Sequence, residues 1–218
     1  MTISFFCVNS EDMNIFLLAS MPLGMVLGQL FFKGPYTIDK VVRSLLPGLV
    51  LGALTLSLYW FFQDAWLIVW EFPGHFLYWW WGESLAFLIP VLLFQVFGSP
   101  WKHQETQEVE SLTLLLGTVF FLLNVKDFFL TNDLTNDWTL FLLPMVRLWL
   151  VFAVPHIFVK LRHETFLSTK ILLFFLIVFA SLLLPILASL HSFKLGLWAY
   201  ILFGLICTGT IFYLKNQE

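Results

Sequence analysis

Seven apolar runs, each near the roughly 20 residues that a helix needs to cross a bilayer, leave this chain few folds to choose from. They fall at approximately 13–32, 41–62, 76–98, 112–130, 138–159, 171–190 and 195–214. A segment surrounded by lipid must satisfy its own backbone hydrogen bonds, which makes each run a helix. The expected fold is an all-α integral membrane protein: one polytopic domain over residues 1–218, a bundle of about seven transmembrane helices. The third and fourth runs are the least uniform, because polar residues enter them. A six-span arrangement with one re-entrant segment is the nearest alternative.

Charge is scarce. Only 11% of the residues are charged and 60% are hydrophobic, whereas about a quarter of an average soluble domain is charged. Such a chain cannot cover a water-facing surface, so the lipid bilayer is its expected partner. The net charge of -3 and the lack of a basic patch argue against a nucleic-acid partner. The two cysteines, Cys7 and Cys207, stand at opposite ends and form neither a C-x-x-C pair nor a disulfide framework.

The basic residues orient the helices. Lys33, Lys40, Arg43, Lys102, Lys160, Arg162, Lys170 and Lys215 fall on one side of the expected bundle, against Lys194 alone on the other. By the positive-inside rule the N-terminus is outside and the C-terminus cytoplasmic. Residues 1–14 carry Glu11 and Asp12 but no Lys or Arg. They lack the basic start of a secretory signal peptide, so the first run is expected to remain as a span. The connection from Ser99 to Ser111, with Lys102, His103, Glu105, Glu108 and Glu110, reads as a solvated acidic loop on the cytoplasmic side.

The outer connection between the second and third runs and the start of the third run are rich in tryptophan. Trp66, Trp70, Trp79, Trp80 and Trp81 lie among Glu71, Pro73, Gly74, His75 and Glu83. Aromatic rings with a polar edge collect where hydrocarbon meets headgroups. Residues Ala65 to Phe72 are expected to form a short external interfacial helix, stopped by Pro73-Gly74.

The first two runs each contain Gly-x-x-x-Gly, at Gly24 and Gly28 and at Gly48 and Gly52. Clearing one helix face lets another backbone approach, so these positions are expected to pack the two helices together or to hold protein subunits. Pro22, Pro47, Pro90, Pro144, Pro155 and Pro185 fall within runs, where each frees a carbonyl and invites a kink.

Polar and ionisable groups inside hydrocarbon need a reason to be there. Glu83 stands in the third run, Asn124, Lys126 and Asp127 in the fourth, and Arg147 in the fifth. Counting 1.5 Å per residue from the outer ends puts Asp127 about 5 Å deep, Glu83 about 10 Å and Arg147 about 13 Å. All five belong to the outer half of the membrane. Thr113, Gly117, Phe120, Asn124 and Asp127 follow helical spacing and form one stripe. Lys126 points away from it and is expected to snorkel toward the outer headgroups. Asp127 or Glu83 is expected to neutralise Arg147 across the bundle.

Motifs for chemistry are few. None of His75, His103, His156, His163 and His191 sits in a His-x-x-x-His or His-Glu-x-x-His arrangement, and Gly-x-Ser-x-Gly is absent. No metal site is expected and no cofactor is indicated. Trp79-Trp80-Trp81-Gly82-Glu83, with His75 and His191, is similar in placement to the external segment and flanking histidines of the cytochrome c biogenesis haem-handling proteins. That resemblance implies haem handling as a minor alternative, although the family's Trp-Gly-x-x-Trp-x-Trp-Asp spacing is missing. The leading expectation is a transport protein or a subunit of a membrane complex, built around the outer polar cluster. The alternative is an integral membrane enzyme acting on a lipid or lipid-linked substrate from outside. There Glu83 or His75 would be the acid/base and Arg147 would hold an anionic group.

Overall fold

The computed structural model describes residues 18–26, 42, 45–57, 76, 77, 79, 80, 88, 105–130, 142–192 and 194–215. Among them there is no strand, and six helices stand out. They are α1 (residues 18–26), α2 (Leu45–Ser57), α3 (Glu105–Leu130), α4 (Leu143–His163), α5 (Leu167–Ser192) and α6 (Gly196–Lys215). The helices α3, α4 and α5 are long and apolar enough to cross a membrane, which suggests a membrane protein. α2 and α6 contribute shorter apolar stretches. The interfacial helix expected at 65–72 lies outside the described residues, as do Trp66, Trp70 and Trp81.

The long helices run past their apolar stretches. α3 starts at Glu105 rather than near residue 112, and α4 continues to His163 rather than stopping near 159. Charge at the ends explains the extension. Glu105 and Glu108 occupy the first turn of α3, where backbone N–H groups are exposed. Lys160, Arg162 and His163 occupy the last turn of α4, where carbonyls are exposed. Both placements complement the helix dipole and favour helix beyond the apolar stretches. The solvated loop expected at 99–111 is therefore corrected over 105–110, which is the first part of a helix.

α3 and α4 form the centre. Residues 112–117 of α3 are buried without interruption, so that helix is covered on all sides at this level. Leu112, Leu116, Phe120 and Leu123 pack with Val146, Leu150 and Val154 of α4, and Met21 of α1 joins them. On α5 the buried positions Leu173, Ile177, Ala180, Leu184 and Leu187 recur every three or four residues. Ile171, Leu172, Phe174, Phe175, Val178 and Phe179 on its other faces are exposed, compatible with contact with lipid.

Small residues set the close approaches. A Cβ on Gly48 would lie 2.7 Å from Thr118 of α3, and one on Gly52 would meet Leu122. Gly24 likewise faces Leu148 of α4. The described glycines of α1 and α2 thus meet side chains of α3 and α4, and Gly28 lies outside the described residues. Each of these three glycines therefore admits a side chain of the central helices. Within one sequence, identical spacing can serve different partners, since it clears a face without choosing a neighbour.

The join between α5 and α6 is tight. Lys194 adopts φ 61 between α5 and α6, where Lys194 N donates to His191 O at 3.0 Å and Leu195 N to Leu190 O at 2.9 Å. This is the Schellman pattern, which closes the last carbonyls of α5.

Candidate functional site: a buried charge network across three helices

Arg147 is fully buried. Its Nη2 lies 2.7 Å from Asp127 Oδ2, and its Nη1 donates to Asn124 Oδ1 at 2.6 Å. Asn124 and Asp127 stand three residues apart on α3, so they project on one face and present two oxygens to one guanidinium. The planar fork of arginine suits such a pair, which lysine's point charge would not match.

Two further groups complete the network. Lys126 Nζ is 2.9 Å from Asp127 Oδ1, and Asn124 Nδ2 donates to Ser20 Oγ of α1 at 3.3 Å. Asp127 therefore serves two cations, one through each oxygen. Asn124 is fully buried and uses both ends of its amide, accepting from α4 and donating to α1. Ser20, Asn124 and Arg147 link three helices by side-chain hydrogen bonds, and α1 gains a fixed register from them.

The structure thus brings together Asn124, Lys126, Asp127 and Arg147. It also corrects the orientation of Lys126, which is buried rather than extended to the outer headgroups. Snorkelling needs a lipid-facing side, whereas Lys126 is enclosed here and turns to the carboxylate beside it. Glu83 and His75 lie outside the described residues. Of the aromatic group, Trp79 is half-buried and packs against the core cluster, and Trp80 is half-buried beside it. His191 sits in the last turn of α5.

Ser20 is a participant that sequence reasoning missed. A lone serine in an apolar helix usually bonds to the carbonyl one turn back, as Thr55, Thr113, Thr118, Thr208 and Thr210 do here. Nothing in its spacing announces a partner on another helix.

A second polar contact closes the opposite end of the hairpin. Glu108 of α3 is buried, with His163 Nε2 at 3.0 Å from Oε2 and Arg162 Nη1 at 3.4 Å from Oε1. The pairs Glu108–His163 and Asn124–Arg147 are equally spaced along both helices, so one antiparallel register satisfies both. Roughly 24 Å of α3 separates them. Between them, residues 114–117 and 119–123 of α3 are apolar. Among the described residues no three His, Cys, Asp or Glu side chains converge to hold a metal ion.

Chemically, the arrangement favours holding over reacting. The arginine stays charged at any working pH, and the carboxylate is held between two cations. Removing the shared carboxylate from such a buried set costs about 3–5 kcal/mol, because charge is stranded. No family model matches this chain, and no curated protein or solved structure matches it.

Proposed function

We propose that this is a polytopic protein of the transport or membrane-complex class. It has about seven spans, an external N-terminus and a cytoplasmic C-terminus. Its centre is the network of Asn124, Lys126, Asp127 and Arg147 in the outer half of the bilayer. The observation that supports it best is the full burial of Arg147 between α3 and α4, with α1 tied to the same network through Ser20. Charges are retained inside membrane helices where they line a path or specify how helices assemble. The three candidate spans and the exposed apolar faces agree with a protein that has almost no soluble mass.

The test is native mass spectrometry of the protein extracted gently from its own membrane, comparing wild type with Arg147→Lys. A reproducible heavier assembly that Arg147→Lys dissociates supports the complex-subunit form. A protomer without partners, with an ion or small polar solute retained by wild type and lost from the variant, supports the transport form. A protomer carrying a covalently altered lipid would overturn both in favour of the enzyme alternative. Bound haem would favour haem handling instead.

A further inference from the structure

The two helices that share the charge network do not depend on it equally. Arg147 must enter the membrane as a cation, because its guanidinium does not give up its proton. A cation at that position in a span weighs heavily against insertion unless something compensates it. The two compensating side chains seen for it among the described residues, Asn124 and Asp127, both belong to α3. α3 is different. Its charges at this level, Lys126 and Asp127, are sequence neighbours whose side chains meet at 2.9 Å, a contact that lies within α3 and needs no other helix.

The remaining long helix needs neither. α5 is markedly more apolar than α3 or α4, whose spans are close to each other in hydropathy. The hairpin is also matched at both ends, since Glu108 meets Arg162 and His163 in the register that brings Asn124 to Arg147.

We infer that α4 enters the bilayer as the dependent partner of α3: Asn124 and Asp127 are insertion determinants for a helix they are not part of. The dependence is directional. α3 carries an internal counter-charge, α4 takes its counter-charge from α3, and α5 inserts on hydrophobicity alone. The inference rests on the reading of α3 and α4 as membrane spans.

It is tested on the full chain, translated in a cell-free system with membrane vesicles. The background is Cys7→Ser/Cys207→Ser, with single reporters at Asn132→Cys or Thr165→Cys. A membrane-impermeant maleimide then reports the side on which each reporter lies. Labelling of freshly translated chains does not require a folded product. In the otherwise unaltered chain the two reporters are expected on opposite sides. With Asn124→Leu/Asp127→Leu, the share of chains with reporters on opposite sides is expected to fall by at least about tenfold. Adding Arg147→Leu is expected to restore it. If Asn124→Leu/Asp127→Leu leaves the topology unchanged, α4 inserts independently and the inference fails. If the same loss persists with Arg147→Leu, the arginine is not the cause and the inference also fails. Reporters on one side in the unaltered chain would instead overturn the reading of these helices as spans.

Discussion

The α3–α4 hairpin and the α5–α6 hairpin solve the same problem with opposite chemistry. α3–α4 buries an arginine, a lysine and a glutamate, and its charged groups find partners at both ends of the helix pair. α5–α6 is apolar over most of its length and exposes large side chains such as Phe175, Leu197, Trp198 and Leu205. Its one side-chain hydrogen bond to α4 seen among the described residues runs from Trp149 Nε1 to Thr210 Oγ1 at 3.1 Å. In lipid, apolar surface gains little by leaving its surroundings, so packing detail and polar contacts must specify which helices meet. The charged pair fixes a register; the apolar pair presents an exposed apolar face compatible with contact with lipid.

The largest effect should come from Asp127. Asp127→Leu strips a counter-charge from Arg147 and from Lys126 together, whereas Arg147→Leu leaves the Lys126–Asp127 contact in place. The expected loss is about 3–5 kcal/mol for Asp127→Leu, with a clearly smaller loss for Arg147→Leu. Reversible unfolding in mixed micelles would measure both. Equal losses would mean that the two cations do not share Asp127 in the way its two contacts imply.

How far this contrast was legible beforehand depends on the residue. Composition and run length were enough to expect helices that could cross a membrane, because hydrocarbon admits few backbone solutions, and three of the described helices are long and apolar enough to do so. Spacing along one helix was enough to put Asn124 and Asp127 on one face. The fate of Lys126 was not legible, since helical position says where a side chain points but not whether lipid or protein waits there. Glu108 is a similar case. Its partners Arg162 and His163 stand more than fifty residues away, and a run of acidic residues with no visible partner looks like a solvated loop. The glycines showed that some helix would approach closely, yet the neighbour is set by the whole bundle.

Glycine substitutions sharpen the comparison at a middle scale. Gly52→Leu would drive a side chain into Leu122 of α3, and overpacking of this kind costs about 1–3 kcal/mol. Gly204 of α6 has open space where a Cβ would go, so Gly204→Leu is expected to change stability by no more than about 0.5 kcal/mol. Thermal unfolding of the two variants in one detergent reads the difference. A costly Gly204→Leu would show that the α6 face is occupied in the folded protein, and that the face open to lipid extends less far than its exposure indicates.

The smallest expected effect lies at Glu164, where the two hairpins join. Its Oε1 accepts from Phe166 N at 3.1 Å and from Thr165 N at 2.9 Å, ahead of the first turn of α5. These two backbone bonds, the one from Phe166 foremost, hold its carboxyl below the usual carboxylate range. A carboxyl whose pKa is depressed in the folded state contributes stability that is present above its unfolded value and lost as pH falls through the folded one. The start of α5 should therefore loosen when the medium is taken below the ordinary carboxylate range, while the interior of α5, held by apolar packing, should not. Glu164→Gln keeps an acceptor but has no charge to lose, so this part of the acid sensitivity should vanish. Hydrogen exchange at Thr165 and Phe166, followed against pH in wild type and Glu164→Gln, separates the cap from the helix it starts. Equal acid sensitivity in both proteins would place the labile group elsewhere and leave the join as a passive turn.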